Sequence, residues 1–168
     1  LGLLTKLDLY KKIENFSEHY FSPKILLRYA PGQMKKETSK TKLNPSKAFD
    51  LNRLNNNNNF ETGLSATVGF DYEIRKQNQK IDLSIGQIIN QKENKNMPTS
   101  MGLDEKMSDI VGNTKFTIND NFNLNYNFAI DQNYKDLNKN EINAKANSTL
   151  FDFDVSYLQE KKHIGNNE

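Results

Sequence analysis

Phe60-Glu61-Thr62-Gly63-Leu64-Ser65-Ala66-Thr67-Val68-Gly69-Phe70-Asp71-Tyr72-Glu73-Ile74 alternates in character. The even positions are mostly apolar (Phe60, Leu64, Ala66, Val68, Phe70, Tyr72, Ile74), and the odd ones are Glu61, Gly63, Ser65, Thr67, Gly69, Asp71 and Glu73. A period of two is the mark of a strand, because successive Cβ atoms point to opposite faces of a sheet. After the polar link Lys76-Gln77-Asn78-Gln79 the pattern resumes, with Ile81, Leu83, Ile85 and Ile89 set against Asp82, Ser84, Gly86 and Asn90. The two runs predict a β-hairpin.

Length decides what kind. At roughly 3.3 Å per residue the first run reaches about 50 Å, whereas a strand in a soluble domain is typically about 17 to 20 Å long. Outer-membrane barrels use strands of this kind, with lipid-facing and lumen-facing residues alternating through the bilayer and beyond it. The predicted fold class is therefore all-β, an antiparallel up-and-down meander forming part of a large transmembrane β-barrel.

Composition fits that reading. Only 35% of the 168 residues are hydrophobic, the formal net charge is +2, and there is no Cys and no Trp. Such a chain is poor in material for a large buried core. A barrel needs only one apolar residue in two along each strand and keeps a polar interior. No apolar run approaches the roughly 20 residues of a transmembrane helix, and none resembles a signal peptide. The opening Leu1-Gly2-Leu3-Leu4 makes the chain read as a fragment, a single barrel segment over 1–168. The balanced charge gives no case for nucleic acid as a partner.

Along the chain, Leu3, Thr5, Leu7 and Leu9 suggest one strand within 1–15, and Tyr20 to Ala30 another, with Pro23 at its edge or start. Pro31-Gly32 ends it. A long polar loop over about 33–59 carries Lys35, Lys36, Lys40, Lys42 and Lys47 and reads as solvated. A second loop covers about 91–106. Strand signals return over 109–118, and Asn119-Asp120-Asn121 forms a turn. Phe122, Leu124, Tyr126, Phe128 and Ile130 then oppose Asn123, Asn125, Asn127 and Asp131. After a medium loop over 132–140 comes a weak strand around Ile142, Ala144 and Ala146, then one with Phe153, Val155 and Tyr157 opposite Asp152 and Asp154. About seven or eight strands result, joined by connections that alternate long and short, as barrels alternate surface loops with periplasmic turns. The apolar set Leu64, Val68, Phe70, Phe122, Leu124, Tyr126 and Phe128 is expected to face lipid. Val68→Arg should accordingly be costly and Thr67→Arg tolerated.

No catalytic constellation is present. His19 and His163 stand in unrelated contexts without the convergent ligands that a metal needs. Asp152 and Asp154 lack the differing environments that divide acid from base. No phosphate-binding, dinucleotide or hydrolase motif occurs, and no cofactor is expected.

Several motifs carry a family resemblance. Asn52-Arg53 is followed by Glu61-x-Gly63 and by Gly69-x-x-Tyr72; Arg28-Tyr29-Ala30-Pro31-Gly32 precedes them, and Gly86-Gln87 and Ser108-Asp109-Ile110-Val111-Gly112 follow. In this order they resemble the LptD family of outer-membrane lipopolysaccharide-assembly proteins, also called the organic solvent tolerance family. The likeness covers about residues 20–135, and Asn55 to Asn59 depart from it where the family has a mixed segment ending near an Asp. The resemblance implies a non-enzymatic part of a very large barrel in the outer membrane of a Gram-negative bacterium. It implies as partners lipopolysaccharide, outer-membrane lipids, a plug lipoprotein and a periplasmic transport bridge. The family's periplasmic jellyroll, gate strands and cysteines would lie outside this chain. The alternation by itself also suits a porin-like barrel, or a soluble all-β carbohydrate-binding module whose apolar face packs on a second sheet.

Overall fold

The alternating run at 60–74 forms the centre of an extended antiparallel sheet. The computed structural model describes residues 1–13, 16–38, 42–54, 58–98 and 102–161. Its strands are β1 (Gly2–Lys6), β2 (Leu9–Ile13), β3 (Ser17–Ala30), β4 (Gly63–Lys76), β5 (Gln79–Asn90), β6 (Ile110–Ile118), β7 (Phe122–Ile130), β8 (Leu137–Asn147) and β9 (Asp152–Glu160). From β3 onward each strand pairs with the next, so the sheet is a nine-stranded meander with β1 and β2 both on β3. The expected hairpin is β4 with β5, where Ile74 faces Ile81 and Ser65 faces Asn90. The sheet does not close: among the described residues β9 pairs only with β8.

The strand count exceeds the expected seven or eight because one strand is interrupted. β1 and β2 share a register on β3, with Lys6 opposite Lys24 and Leu9 opposite Phe21. Between them the Leu7 N–H donates to the Pro23 carbonyl, but Pro23 has no N–H to return. The ladder lapses there. Pro23 thus lies inside β3, which begins at Ser17, and not at a strand edge or start as expected. Two further boundaries differ: β4 begins at Gly63, not Phe60, and residues 137–140 belong to β8, leaving a connection of 131–136. A register shift between Ala129 and Ile130 accommodates that entry.

Connections 31–62, 91–109 and 131–136 lie at one end of the sheet, and the short ones at 77–78, 119–121 and 148–151 at the other. At the 119–121 turn Asn119 has φ 43°, a left-handed conformation that Asn tolerates.

The two faces are inverted relative to a soluble domain. On β4, Ser65 and Thr67 are 4% and 0% exposed, whereas Leu64 and Val68 are 46% and 37% exposed. Residues opposite one another in register share a face, which places Leu64, Val68, Phe70, Phe122, Leu124, Tyr126 and Phe128 together on the outer, apolar side. The inner side carries Lys24, Asp71, Ser84, Asn113, Asn127 and Glu141, successive neighbours from β3 to β8.

A small core explains the burial of the inner face. Ile88, Val111 and Ala129 point inward at the long-connection end and pack with Met34, Leu43, Ala48, Leu54, Met97 and Leu103 of the two long connections. The segment expected to be a solvated loop is therefore a cap folded onto the sheet. Thr67→Arg would have to enter this buried layer, so the expected tolerance there is overturned. Thr67 is packed because the cap covers it, which alternation alone does not disclose.

Candidate functional site

Alternation on β3 sends Ile25, Leu27 and Tyr29 outward and Arg28 inward, beneath the cap. There it meets Arg53 and Glu61 of the long connection, each of the three side chains no more than 4% exposed. Arg53 Nη1 donates to both carboxylate oxygens of Glu61 at 3.2 and 3.1 Å, and its Nη2 donates to Ser65 Oγ at 3.2 Å and Thr67 Oγ1 at 3.0 Å. Thr67 in turn donates to the Ala48 carbonyl at 3.0 Å. Arg28 Nε donates to the Leu51 carbonyl at 2.7 Å and its Nη2 to the Glu61 carbonyl, while Nη1 stands 3.8 Å from the Glu61 carboxylate. Burial pushes the Arg53 guanidinium below its ordinary range; Glu61 opposes that shift, and the nearby Arg28 charge reinforces it. The arrangement is one buried carboxylate held between two guanidinium groups. Together they clamp the cap to β3 and β4.

A second set seats the cap. Gly69 and Gly86 face each other across β4 and β5, and a Cβ on Gly86 would lie 2.9 Å from the Phe49 ring. The missing side chain of Gly86 leaves room for that ring, over which Lys24 Nζ sits at 4.2 Å from the centroid. Lys24 also pairs with Asp71 at 2.7 Å, and Ser84 donates to Asp71 at 2.7 Å. Beside them opens a polar cleft of about 490 Å³ reaching Asn44, Asn113 and Asn127. A Cβ on Gly69 would collide with the Ile85 carbonyl oxygen of the adjacent strand and lie 2.9 Å from Gly86 Cα. Gly69→Ala must move backbone, so a loss of about 1–3 kcal/mol is expected, read as a lowered urea midpoint of the folded barrel. An unchanged midpoint would mean that the strands have slack here.

The third set straps the second long connection. Gln87 Nε2 donates to the Ser108 carbonyl at 3.0 Å, Ile88 N–H donates to Ser108 Oγ at 2.9 Å, and Ser108 Oγ donates to the Asp109 carbonyl at 2.7 Å. Asn138 Nδ2 donates to Asp109 Oδ2 at 2.9 Å, which ties this connection to β8.

The family-motif positions therefore divide. Arg53 and Glu61 form the clamp, Gly86 the seat, and Gln87, Ser108 and Asp109 the strap, while Gly69 permits the close approach of β4 to β5. Asn52 supports the clamp locally by accepting from the Leu54 N–H at 3.2 Å, and Gly63, at φ 110°, turns the chain into β4 where a side chain would be strained. Gly112 lies on the outer face under the Phe128 ring. Tyr72 stands apart, on the outer face near the short turns, its hydroxyl 2.7 Å from His19 Nδ1. Lys24, Phe49, Asn113 and Asn127 had not been singled out as a group. The signal lay in opposite charges facing across strands, Lys24 near Asp71, visible only once the register is known.

Among the described residues the lysines of the first long connection are engaged separately. Lys42 donates to the Asn138 and Lys161 carbonyls at 3.3 and 2.7 Å, and Lys47 lies 3.6 Å from Asp50. Asp154 pairs with Lys145 at 2.8 Å. Lys40, Asn55 to Asn57 and His163 lie outside the described residues. Among the described residues no group of His, Asp and Glu is arranged to hold a metal.

No curated protein matches the sequence. The family model LptD, described as LPS transport system D, matches residues 2–168. The all-β meander, its inverted faces and this match agree, and the chain belongs to the LptD family, outer-membrane proteins of Gram-negative bacteria that serve lipopolysaccharide transport.

Proposed function

We propose that the chain is a run of consecutive wall strands in the barrel that inserts lipopolysaccharide into the outer leaflet, with its apolar face against hydrocarbon and its capped polar face lining the lumen. The observation that carries this reading is the inversion of burial, Thr67 enclosed at 0% exposure beside Val68 at 37%. From Leu64 to Ile74 is about 33 Å along a strand, and a tilt of about 40° reduces this to about 25 Å, the height of a barrel's apolar band. A sheet with free edges does not persist in hydrocarbon, so further strands complete the wall. A porin-like channel is less well supported, because the cap fills the inner face at one end. A soluble module would need a second sheet over the outer face.

The long connections lie on the cell-surface side and the short turns in the periplasm, following the usual asymmetry of barrels. Transport is the function, without covalent chemistry. Lipopolysaccharide and outer-membrane lipids are its ligands, and a plug lipoprotein and a periplasmic bridge its partners, as the family resemblance implies.

Trypsin added to intact cells tests the orientation. Cleavage is expected at the exposed Lys92 and Lys95 of the second long connection, with the clamped 42–54 segment protected. Cleavage confined to Arg75, Lys76 or Lys80 at the 77–78 turn would reverse the orientation.

A further inference from the structure

Among the described strand residues, charge on the outer face is confined to one corner. Following the register from β1 to β9, the outward positions are apolar, aromatic or uncharged polar, with two exceptions, Lys11 and Lys76; His19 is the sole outward histidine among the described strand residues. All three lie at the short-turn end of adjacent strands. Lys11 is opposite His19, His19 is opposite Ile74, and Lys76 follows Ile74 on the same face. Among the described strand residues the acids of this end point inward, where Glu73 and Asp82 pair with Lys80 at 3.0 and 2.9 Å. Neither Lys11 nor Lys76 makes an ion pair among the described residues.

The corner is shaped as well as charged. An outward cleft of about 400 Å³ is lined by Ile13, His19, Ile74, Lys76, Gln79 and Ile81. Its wall is ordered by a hydrogen-bonded chain in which His19 lies 2.9 Å from Ser17 Oγ and 2.7 Å from the Tyr72 hydroxyl. Ammonium groups at the foot of an apolar strip, next to a cleft with isoleucine walls, match a molecule that is anionic at one end and aliphatic beyond it.

We propose that this corner holds an anionic phospholipid of the leaflet at the short-turn end, its phosphate between Lys11 and Lys76 and its acyl chains along Ile13, Ile74 and Ile81. The proposal rests on the barrel-wall reading. It follows from the height of the strip, since Lys76 lies just past the roughly 25 Å apolar band, at headgroup level. Basic groups at that level attract anionic lipid, and the absence of outward acids among the described strand residues favours a net negative headgroup over a zwitterionic one.

The test uses the full-length protein in phosphatidylethanolamine bilayers, with a fluorophore on a single thiol at Ile81 or at Val68. Phosphatidylglycerol and phosphatidylethanolamine, each carrying a nitroxide near the glycerol, are added in turn at the same trace fraction. At Ile81 the labelled phosphatidylglycerol is expected to be enriched roughly tenfold over its analogue, and Lys11→Gln with Lys76→Gln should abolish the difference while leaving quenching by phosphatidylethanolamine unchanged. Equal quenching by the two lipids, or an excess that survives in the double variant, overturns the proposal. The Val68 probe, read with nitroxide at mid-chain, separates the two levels of inference. Quenching there without selectivity at Ile81 removes the lipid site and keeps the wall, whereas no quenching at Val68 removes the wall reading itself.

Discussion

Arg53→Ala is expected to destabilise the full-length protein by about 3–5 kcal/mol, the usual loss when one partner of a buried ion pair is removed. The geometry argues for the full range. Arg53 is 0% exposed at its side chain, so water cannot replace it without opening the cap. Its loss leaves the Glu61 carboxylate with Arg28 Nη1 at 3.8 Å, too long for a hydrogen bond, and removes donors from Ser65 and Thr67. Thr67 keeps its bond to the Ala48 carbonyl, so the cap is loosened at one of several fastenings, and residues 42–54 should become accessible to trypsin at Lys47 before the barrel unfolds. Replacing both charges, Arg53→Met with Glu61→Leu, should recover much of the loss, since a well-packed apolar pair avoids desolvation altogether. Urea unfolding of the reconstituted protein, run as a double-mutant cycle, measures the coupling. A single-variant loss below about 1 kcal/mol, the range of exposed pairs, would show that the clamp is hydrated and the cap mobile.

What could be read from the sequence was whatever repeats locally. The β4–β5 and β6–β7 hairpins were legible because Phe70, Tyr72 and Ile74, or Phe122, Leu124 and Tyr126, recur at a period of two between turn residues, and that pattern needs no distant partner. The cap was not legible. Met34, Leu43, Ala48 and Leu54 follow no period, and they become a core only where Ile88, Val111 and Ala129, drawn from three strands, present an apolar patch. Thr67 shows the limit of alternation. Its polarity marked the correct face, but the period carries no information about what covers that face. Arg53 and Glu61 stood out only through family resemblance, and their pairing emerged from the fold, as did the third member, Arg28. Pro23 lies inside β3 because the chain keeps the bond from the Leu7 N–H to the Pro23 carbonyl, leaves out only the one that proline cannot donate, and continues the strand on either side.

Val68→Arg is expected to cost about 2–4 kcal/mol, the value for a cation near the midplane of a barrel's lipid face. Val68 lies well inside the strip from Leu64 to Ile74, and its register partners Ile25 and Gln87 present no carboxylate with which a guanidinium could pair. A control on the opposite face must avoid the cap, which excludes Thr67. Ser156 serves, being exposed and inward on β9 opposite Asn143, and Ser156→Arg should change stability by no more than about 0.5 kcal/mol. Stability alone does not distinguish hydrocarbon from a packed protein partner, because either would reject an arginine at Val68. Spin labels make that distinction in the reconstituted full-length protein. At Leu64, Val68, Phe122, Tyr126 and Phe128 a label on a barrel wall should collide with oxygen dissolved in lipid and be shielded from a water-soluble paramagnetic reagent. At Asn123, Asn125 and Asn127, inward on β7, the preference should reverse. A β7 whose alternate residues answer to different solvents is one layer thick with lipid on one side and water on the other, which is the physical requirement of a wall that passes an amphiphile between them. Shielding of the apolar set from both reagents would place protein against that face, and the wall reading would then be abandoned.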